Sequence, residues 1–320
     1  MSTSLLNQNQ IRGEFFKRIE NAPSWTGLVA LEVPTLGGNP DTFGFLDSAP
    51  AATKWQGPRR IKDVVGRQIS VYRDRYESSI QVKADDLMRD QTGAIQRSAG
   101  QLADRMLSLH HKLISKLIEE GDTSTYGTAY DGQYFFDTDH ALGASGTQKN
   151  LLTSSEVASL NVATAASPTP EEMAPAIVDV IGYAKTMKDD EGEPMHELAT
   201  EWTVMVPSNM WGAAHTAVQA NVLSGNKTNP IKAMTEAGLV SIKVVENPRL
   251  NADTAIFYVF RSDMGNSPPF IICTEEMNAD QFVCEGSEFF FKNRAYLFGA
   301  DESVGVMYGE PLAAFRCVLS

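Results

Sequence analysis

Cysteine is scarce in this chain: 320 residues carry only Cys273, Cys284 and Cys317, an odd set without the Cys-x-x-Cys spacing that metal binding or redox chemistry favours. That excludes a disulfide-stapled secreted fold and reads as reduced cytosolic thiols, with Cys273 in Pro269-Phe-Ile-Ile-Cys273 as a small buried hydrophobe. Long apolar runs are missing too. The longest, such as Ala-Ile-Phe-Tyr-Val-Phe over residues 255–260, are strand-sized and far short of the ~20 residues of a membrane span. The first 21 residues offer only the apolar pairs Leu5-Leu6 and Phe15-Phe16, too little for the hydrophobic core of a signal peptide. Basic charge is in deficit: 27 Lys and Arg against 40 Asp and Glu leave a net charge of −13. A protein whose main work is gripping nucleic acid needs clustered cations to displace counterions from phosphates, so the balance argues against that role.

Catalytic signatures are also wanting. Ser224-Gly-Asn-Lys-Thr228 has Asn226 where a phosphate-binding loop needs glycine before the lysine. His110-His111 lacks the four-residue spacing and intervening glutamate of a zinc protease. No Gly-x-Ser-x-Gly elbow supports a serine nucleophile. Met187, Met195, Met205 and Met210 read as core filler.

What is present is a chain long enough, and at 42% hydrophobic content apolar enough, for a substantial core divided between two lobes. Residues 1–40 read as a polar arm with a short helix near 12–20, loosening at Gly37-Gly38-Asn39-Pro40. A strand over 41–46, a Pro/Ala/Gly-rich stretch over 47–58 and two-residue alternation over 66–82 predict a long projecting hairpin. From 94 to 120 apolar residues recur at helical spacing (Leu102, Met106, Leu109, Leu113, Leu117), with Gly121 as the stop. Pro170 with Glu171-Glu172 predicts a helix entry, Ser208 a helix cap, 225–230 a loop, and 202–206, 240–245, 255–260, 270–274, 288–298 and 304–308 strands. This mixture predicts an α+β fold. Charge is uneven along it. Lys54, Arg59, Arg60, Lys62, Arg67, Arg73 and Arg75 against Asp63 and Asp74 give residues 54–75 a balance of +5, while residues 171–201 carry −7. One surface is complementary to the other, although charge runs of this kind also arise as ordinary solvated faces.

The most informative stretch is Tyr-Asp-Gly-Gln-Tyr-Phe-Phe-Asp-Thr-Asp-His over residues 130–140, directly after the long helix. Asp131, Asp137, Asp139 and His140 invite a metal reading, and with it a cytosolic metal-dependent hydrolase, but they do not fit the calcium-loop pattern. The alternative is a turn locked by short polar side chains on backbone amides and anchored by Tyr130, Tyr134, Phe135 and Phe136. This stretch resembles the major head subunit of Mu-like phages and prophages, the T-protein family. The resemblance extends upstream through Trp55-Gln-Gly-Pro-Arg-Arg-Ile61 and Tyr76-Glu-Ser-Ser-Ile-Gln-Val-Lys-Ala-Asp-Asp86, in the family's order.

That resemblance implies the HK97-like fold of tailed-phage capsids: an arm (1–40), an extended loop (41–80), a peripheral lobe with a spine helix (81–165 and 265–320) and an axial lobe (166–264). It implies no enzyme activity and no cofactor. Pentamers and hexamers of the chain would close an icosahedral shell around double-stranded DNA, held without sequence-specific binding and with no membrane. The loop residues Lys54, Trp55, Arg59, Arg60, Lys62 and Arg67 would contact a neighbouring copy. Because the chain starts almost at the arm, a separate scaffold protein is expected, together with a portal and a decoration protein. The expected location is the virion capsid, with synthesis in the host bacterial cytoplasm. Covalent Lys–Asn links of the kind some relatives form would need Lys54 or Lys62 beside Asn293, which nothing in the sequence brings together. A nanocompartment shell of the same fold remains the other shell reading.

Overall fold

A fourteen-residue strand, Ala295–Tyr308, organises the first of two five-stranded sheets. One edge pairs antiparallel with Asp74–Lys83, from Ala295 opposite Lys83 to Val304 opposite Asp74. The opposite edge takes Asn278–Gln281 and then Phe270–Thr274, which in turn pairs in parallel with Ala30–Pro34. The computed structural model describes residues 13, 15–21, 23–46, 66–89, 94–224, 227–263, 267–275, 277–281 and 287–320. The expected loop contacts Lys54, Trp55, Arg59, Arg60 and Lys62, together with Cys284 and the side chain of Arg67, lie outside the described residues.

The helical periodicity is realised as the 26-residue helix Ala94–Glu119, about 39 Å long at 1.5 Å per residue. Its stripe divides along its length. Leu102, Ala103 and Met106 pack with Phe15 and Ala300, whereas Ile114, Leu117 and Ile118 enter the main core with Phe135, Phe136, Val304 and Tyr308. Within the stripe His110 is buried 3.1 Å from the equally buried Glu302. Burial opposes charge on the imidazole, but the carboxylate outweighs it and lifts His110 above its ordinary value. His111 instead stacks on Trp25, with ring centroids 4.9 Å apart.

The second sheet runs in the order Ser241–Glu246, Glu201–Val206, Ile256–Arg261, Ala314–Val318, Leu151–Leu152. Its three inner strands, Glu201–Val206, Ile256–Arg261 and Ala314–Val318, are buried almost throughout because both faces are covered, whereas the edge strand Ser241–Glu246 alternates with exposed residues. Val204, Val206, Phe257 and Val259 meet Met173, Ile177 and Val180 of the helix Pro170–Ala184 and Ala214 and Ala217 of the helix Trp211–Gln219. Met205, Tyr258, Phe260 and Ala314 face the long helix and the first sheet, so the two lobes share one core. Helix Pro170–Ala184 opens with proline in its first turn and a reciprocal capping box between Thr169 and Glu172.

Several elements differ from the sequence expectation. Ser208 caps nothing; Met210 holds the cap position without a side-chain bond, and the Ser208 amide donates to Asn251 Oδ1. The expected loop near 230 opens the helix Pro230–Glu236, capped by Asn229, whose Oδ1 accepts from the Ile231 amide at 3.0 Å. Residues 288–298 are not one strand. Ser287 caps a helix Glu288–Asn293, and Arg294, with φ of 44°, turns the chain into the central strand. Two strand pairings differ from the expectation as well. Asp74–Lys83 belongs to the first sheet, so the projecting hairpin is only Asp41–Leu46 paired with Gly66–Val71. The last strand, Ala314–Val318, pairs with Ile256–Arg261 and therefore joins the sheet expected for the axial lobe.

Candidate functional site at the hairpin root and the aromatic turn

The hairpin leaves the body at a buried ion pair. Asp41, the first residue of its first strand, lies 2.9 Å from Arg73 Nε, just beyond the end of its second strand. Arg73 reaches Glu275 at 3.1 Å and also donates to the Gly38 carbonyl. Thr35 Oγ1 and Cys273 Sγ donate to Asp41 Oδ2 at 2.9 and 3.1 Å, and the amides of Leu36 and Gly38 donate to Oδ1. The Cys273 bond leads in holding the Asp41 carboxyl below its ordinary value, and burial pushes the Cys273 thiol up to about 12. The cysteine is thus a chemically inert donor. Arg75, by contrast, pairs with Asp301 at the surface. Both cations of residues 54–75 whose side chains are described, Arg73 and Arg75, are therefore engaged within the chain.

The aromatic turn sits beside this root, across a cleft of about 640 Å³ lined by Ile69, Tyr72, Tyr126, Tyr130, Met307 and Tyr308. Phe135 and Phe136 are its fully buried anchors. Phe135 stacks on Tyr308 with centroids 4.6 Å apart and meets Phe270 at 5.0 Å; Phe136 packs on Tyr258. The Phe136 ring lies where a side chain at residue 121 would sit, since a Cβ there would come within 2.6 Å of it. Gly121 ends the helix and seats the turn. Tyr134 is the exposed member of the trio.

Polar groups close the turn. Asn150, fully buried, donates through Nδ2 to the carbonyls of Phe135 and Pro311 and accepts from the Asp137 amide at 2.8 Å. Asp137 accepts from the amides of Tyr134 and Thr138, and exposed Asp139 accepts from Gln133. His140 Nδ1 lies 2.6 Å from Asp131. Burial works against charge on both partners, yet their bond lifts the imidazole and draws the carboxyl below its ordinary range. Asp137 and Asp139 are thus spent on other partners, and among the described residues no group of three His, Cys, Asp or Glu is placed to hold a metal ion.

Tyr130 donates its hydroxyl to Glu310 at 2.9 Å. Burial raises the Glu310 carboxyl to about 7, against the opposing hydrogen bonds from Tyr130 and the Leu312 amide. Since the folded value exceeds the unfolded 4.5, the unfolded chain releases this proton first, and the group's contribution to stability is lost as pH rises towards about 7. Glu310→Gln keeps an acceptor for Leu312 and removes the titration. Urea denaturation is expected to show the variant gaining on the parent between about pH 5 and about pH 8, by up to about 3 kcal/mol. An identical difference at both pH values contradicts the assignment.

The family model described as Mu-like prophage major head subunit gpT matches residues 6–168, a span that contains the hairpin root, the long helix and the aromatic turn. The chain belongs to this family. A relative, the Mu-like prophage FluMu major head subunit of Haemophilus influenzae, is 30% identical over 142 residues, covering 41% of this chain and 42% of that protein. The match therefore spans less than half the length of that head subunit. The procapsid subunit of bacteriophage JBD30 superposes with a TM-score of 0.57 at 18% identity, over 100% of this chain and 77% of its own. The mature capsid subunit of bacteriophage PhiM1 gives 0.55 at 12%, over 93% and 88%. These likenesses establish the HK97-like fold for the head subunit.

Some residues that hold this site have no local signal. Asn150 and Asp41 sit in unremarkable polar contexts. Glu310 did have one, as the lone acid in the otherwise apolar run 309–315, and a lone acid there implies a buried partner.

Proposed function

We propose that this head subunit is the repeating tile of an icosahedral shell, assembling as pentamers and hexamers around double-stranded DNA that it does not bind in a sequence-specific way. The observation that carries the reading is the family match over residues 6–168, supported by a fold shared with tailed-phage capsid subunits. Residues 1–40 act as the arm, 41–72 as the extended loop, the first sheet with the long helix as the peripheral lobe, and 166–264 with the last strand as the axial lobe. Its partners are a scaffold, a portal and a decoration protein, and the subunit is made in the cytoplasm of the host bacterium before entering the virion.

Assembly is driven by the cationic loop (Lys54, Trp55, Arg59, Arg60, Lys62, Arg67) lying on an acidic neighbour. The acidic run offers fewer free carboxylates than its composition implies. Glu171, Glu172 and Asp189 accept from backbone amides of their own chain, while Asp179, Glu193, Glu197 and Glu201 are exposed. Modest contacts repeated around a shell multiply through avidity, and weak single contacts permit correction of misplaced subunits. A net charge of −13 suits a container that must release its genome. The test is the content of particles purified from an induced host: nuclease-protected double-stranded DNA is expected, and particles holding protein cargo without nucleic acid would overturn the reading.

A further inference from the structure

A buried ion pair interrupts the apolar stripe of the long helix. Ahead of it, Leu102, Ala103 and Met106 pack with Phe15 and Ala300; beyond it, Ile114, Leu117 and Ile118 pack with Val304 and Tyr308. His110 on the helix and Glu302 on the central strand stand between these two clusters, both buried, with the imidazole Nε2 3.1 Å from the carboxylate. A buried pair in such a place often stabilises a fold no more than apolar side chains of similar volume do. Stability alone does not account for it.

Both side chains line a cleft of about 700 Å³, to which the helical residues 15–21 contribute only Phe16 and Ile19. Protons thus reach the pair without unfolding. Burial opposes charge on His110, and the carboxylates of Glu302 and of Glu32, on the strand Ala30–Pro34, outweigh it. The other ionisable groups packed around the pair are already committed. Burial, ahead of Arg249, holds His111 down at about 4. Glu275 is paired with Arg73, and Asp104 with Arg18. Tyr76, opposite Glu302 in the sheet, is raised by burial and stays neutral.

We propose that His110 and Glu302 form a proton-dependent latch. With the imidazole charged, the pair fastens the part of the long helix ahead of residue 110 to the central strand; with it neutral, that part and residues 15–21 come loose together, while the part beyond stays anchored in the main core. Since the folded value of His110 lies above the unfolded 6.5, the latch is fully closed below the unfolded value and opens as pH rises through the folded one. A carboxylate left buried beside a neutral ring has lost the charge that offset its desolvation. The device belongs to the single chain and stands apart from the shell reading.

The test is hydrogen exchange of the purified full chain at about pH 5.5 and about pH 9, corrected for the intrinsic pH dependence of amide exchange. Protection over residues 15–21 and 100–109 is expected to fall about tenfold or more beyond any fall over 113–119. The reference segment removes titrations that act on the whole fold, such as that of Glu310. In Glu302→Gln the selective fall is expected to vanish. His110→Leu with Glu302→Met, which joins the two apolar clusters, is expected to keep both segments protected at either pH. Equal loss over all three segments of the parent overturns the latch, because the pair then only stabilises the fold. A selective fall that survives Glu302→Gln assigns the titration to another group and overturns it as well. Should the double variant fail to fold, Glu302→Gln decides alone.

Discussion

Phe135→Ala is expected to cost about 3–5 kcal/mol, a large part of the ~5–15 kcal/mol that holds a typical domain together. The ring is fully buried among Tyr308, Phe270 and Phe136, and the walls around it have little freedom to close the cavity. Asn150 fixes the Phe135 carbonyl, and the Phe136 amide is tied to the Gly121 carbonyl at 2.8 Å. Because this core is shared by both sheets and the long helix, the loss affects the whole molecule. Urea denaturation of the variant is expected to show a much lower midpoint, or no folded chain at all. Tyr134→Ala, one residue earlier at an exposed position, is the internal control and is expected to change stability by less than about 1 kcal/mol. A midpoint for Phe135→Ala as close to the parent as that of Tyr134→Ala would contradict the anchor role.

The second large effect is on assembly and leaves the fold intact. Arg59→Glu with Arg60→Glu inverts two charges in every copy, and a shell repeats that inversion at each loop contact. The expected outcome is a subunit with the parent's thermal midpoint that forms no shells near physiological ionic strength of about 0.15 M, where screening beyond ~8 Å still leaves close pairs intact. Raising the salt is expected to weaken the parent's assembly and to relieve part of the variant's block. Electron microscopy with sedimentation reads both. Normal shells from the double variant at about 0.15 M would refute the loop contact.

Sequence patterns delimited the elements where one physical preference dominated. The long helix ends at Glu119, one residue from the predicted limit, because its stripe and Gly121 point the same way. Phe270–Thr274 matches its prediction since a run buried on both faces has no competing period. At 288–298 two preferences competed. The aromatic run favours strand, but Ser287 caps a turn of helix and Arg294 in the left-handed region breaks the chain there. The hairpin strands were legible from alternation, whereas the assignment of Asp74–Lys83 to a different sheet was not, since alternation tells which face is buried and not which strand lies alongside.

The site shows the same division. Phe135 and Phe136 announce an anchored turn, but their supports are distant in sequence: Tyr308, Glu310 and Asn150 reach the turn only through the third dimension. Asp41 and Arg73 meet because the hairpin closes between them. The charge reading was the least complete, because net charge counts residues whose carboxylates are already occupied, as Glu172 is by the amides of Thr169 and Ala163.

The central claim is that this polypeptide works by touching copies of itself. Sedimentation velocity of the purified full chain, followed by electron microscopy of the fastest fraction, tests it directly. A concentration-dependent passage from subunits or rings to closed particles of uniform diameter is the predicted result. A single slow species over the whole range of concentration, salt and scaffold addition would contradict it.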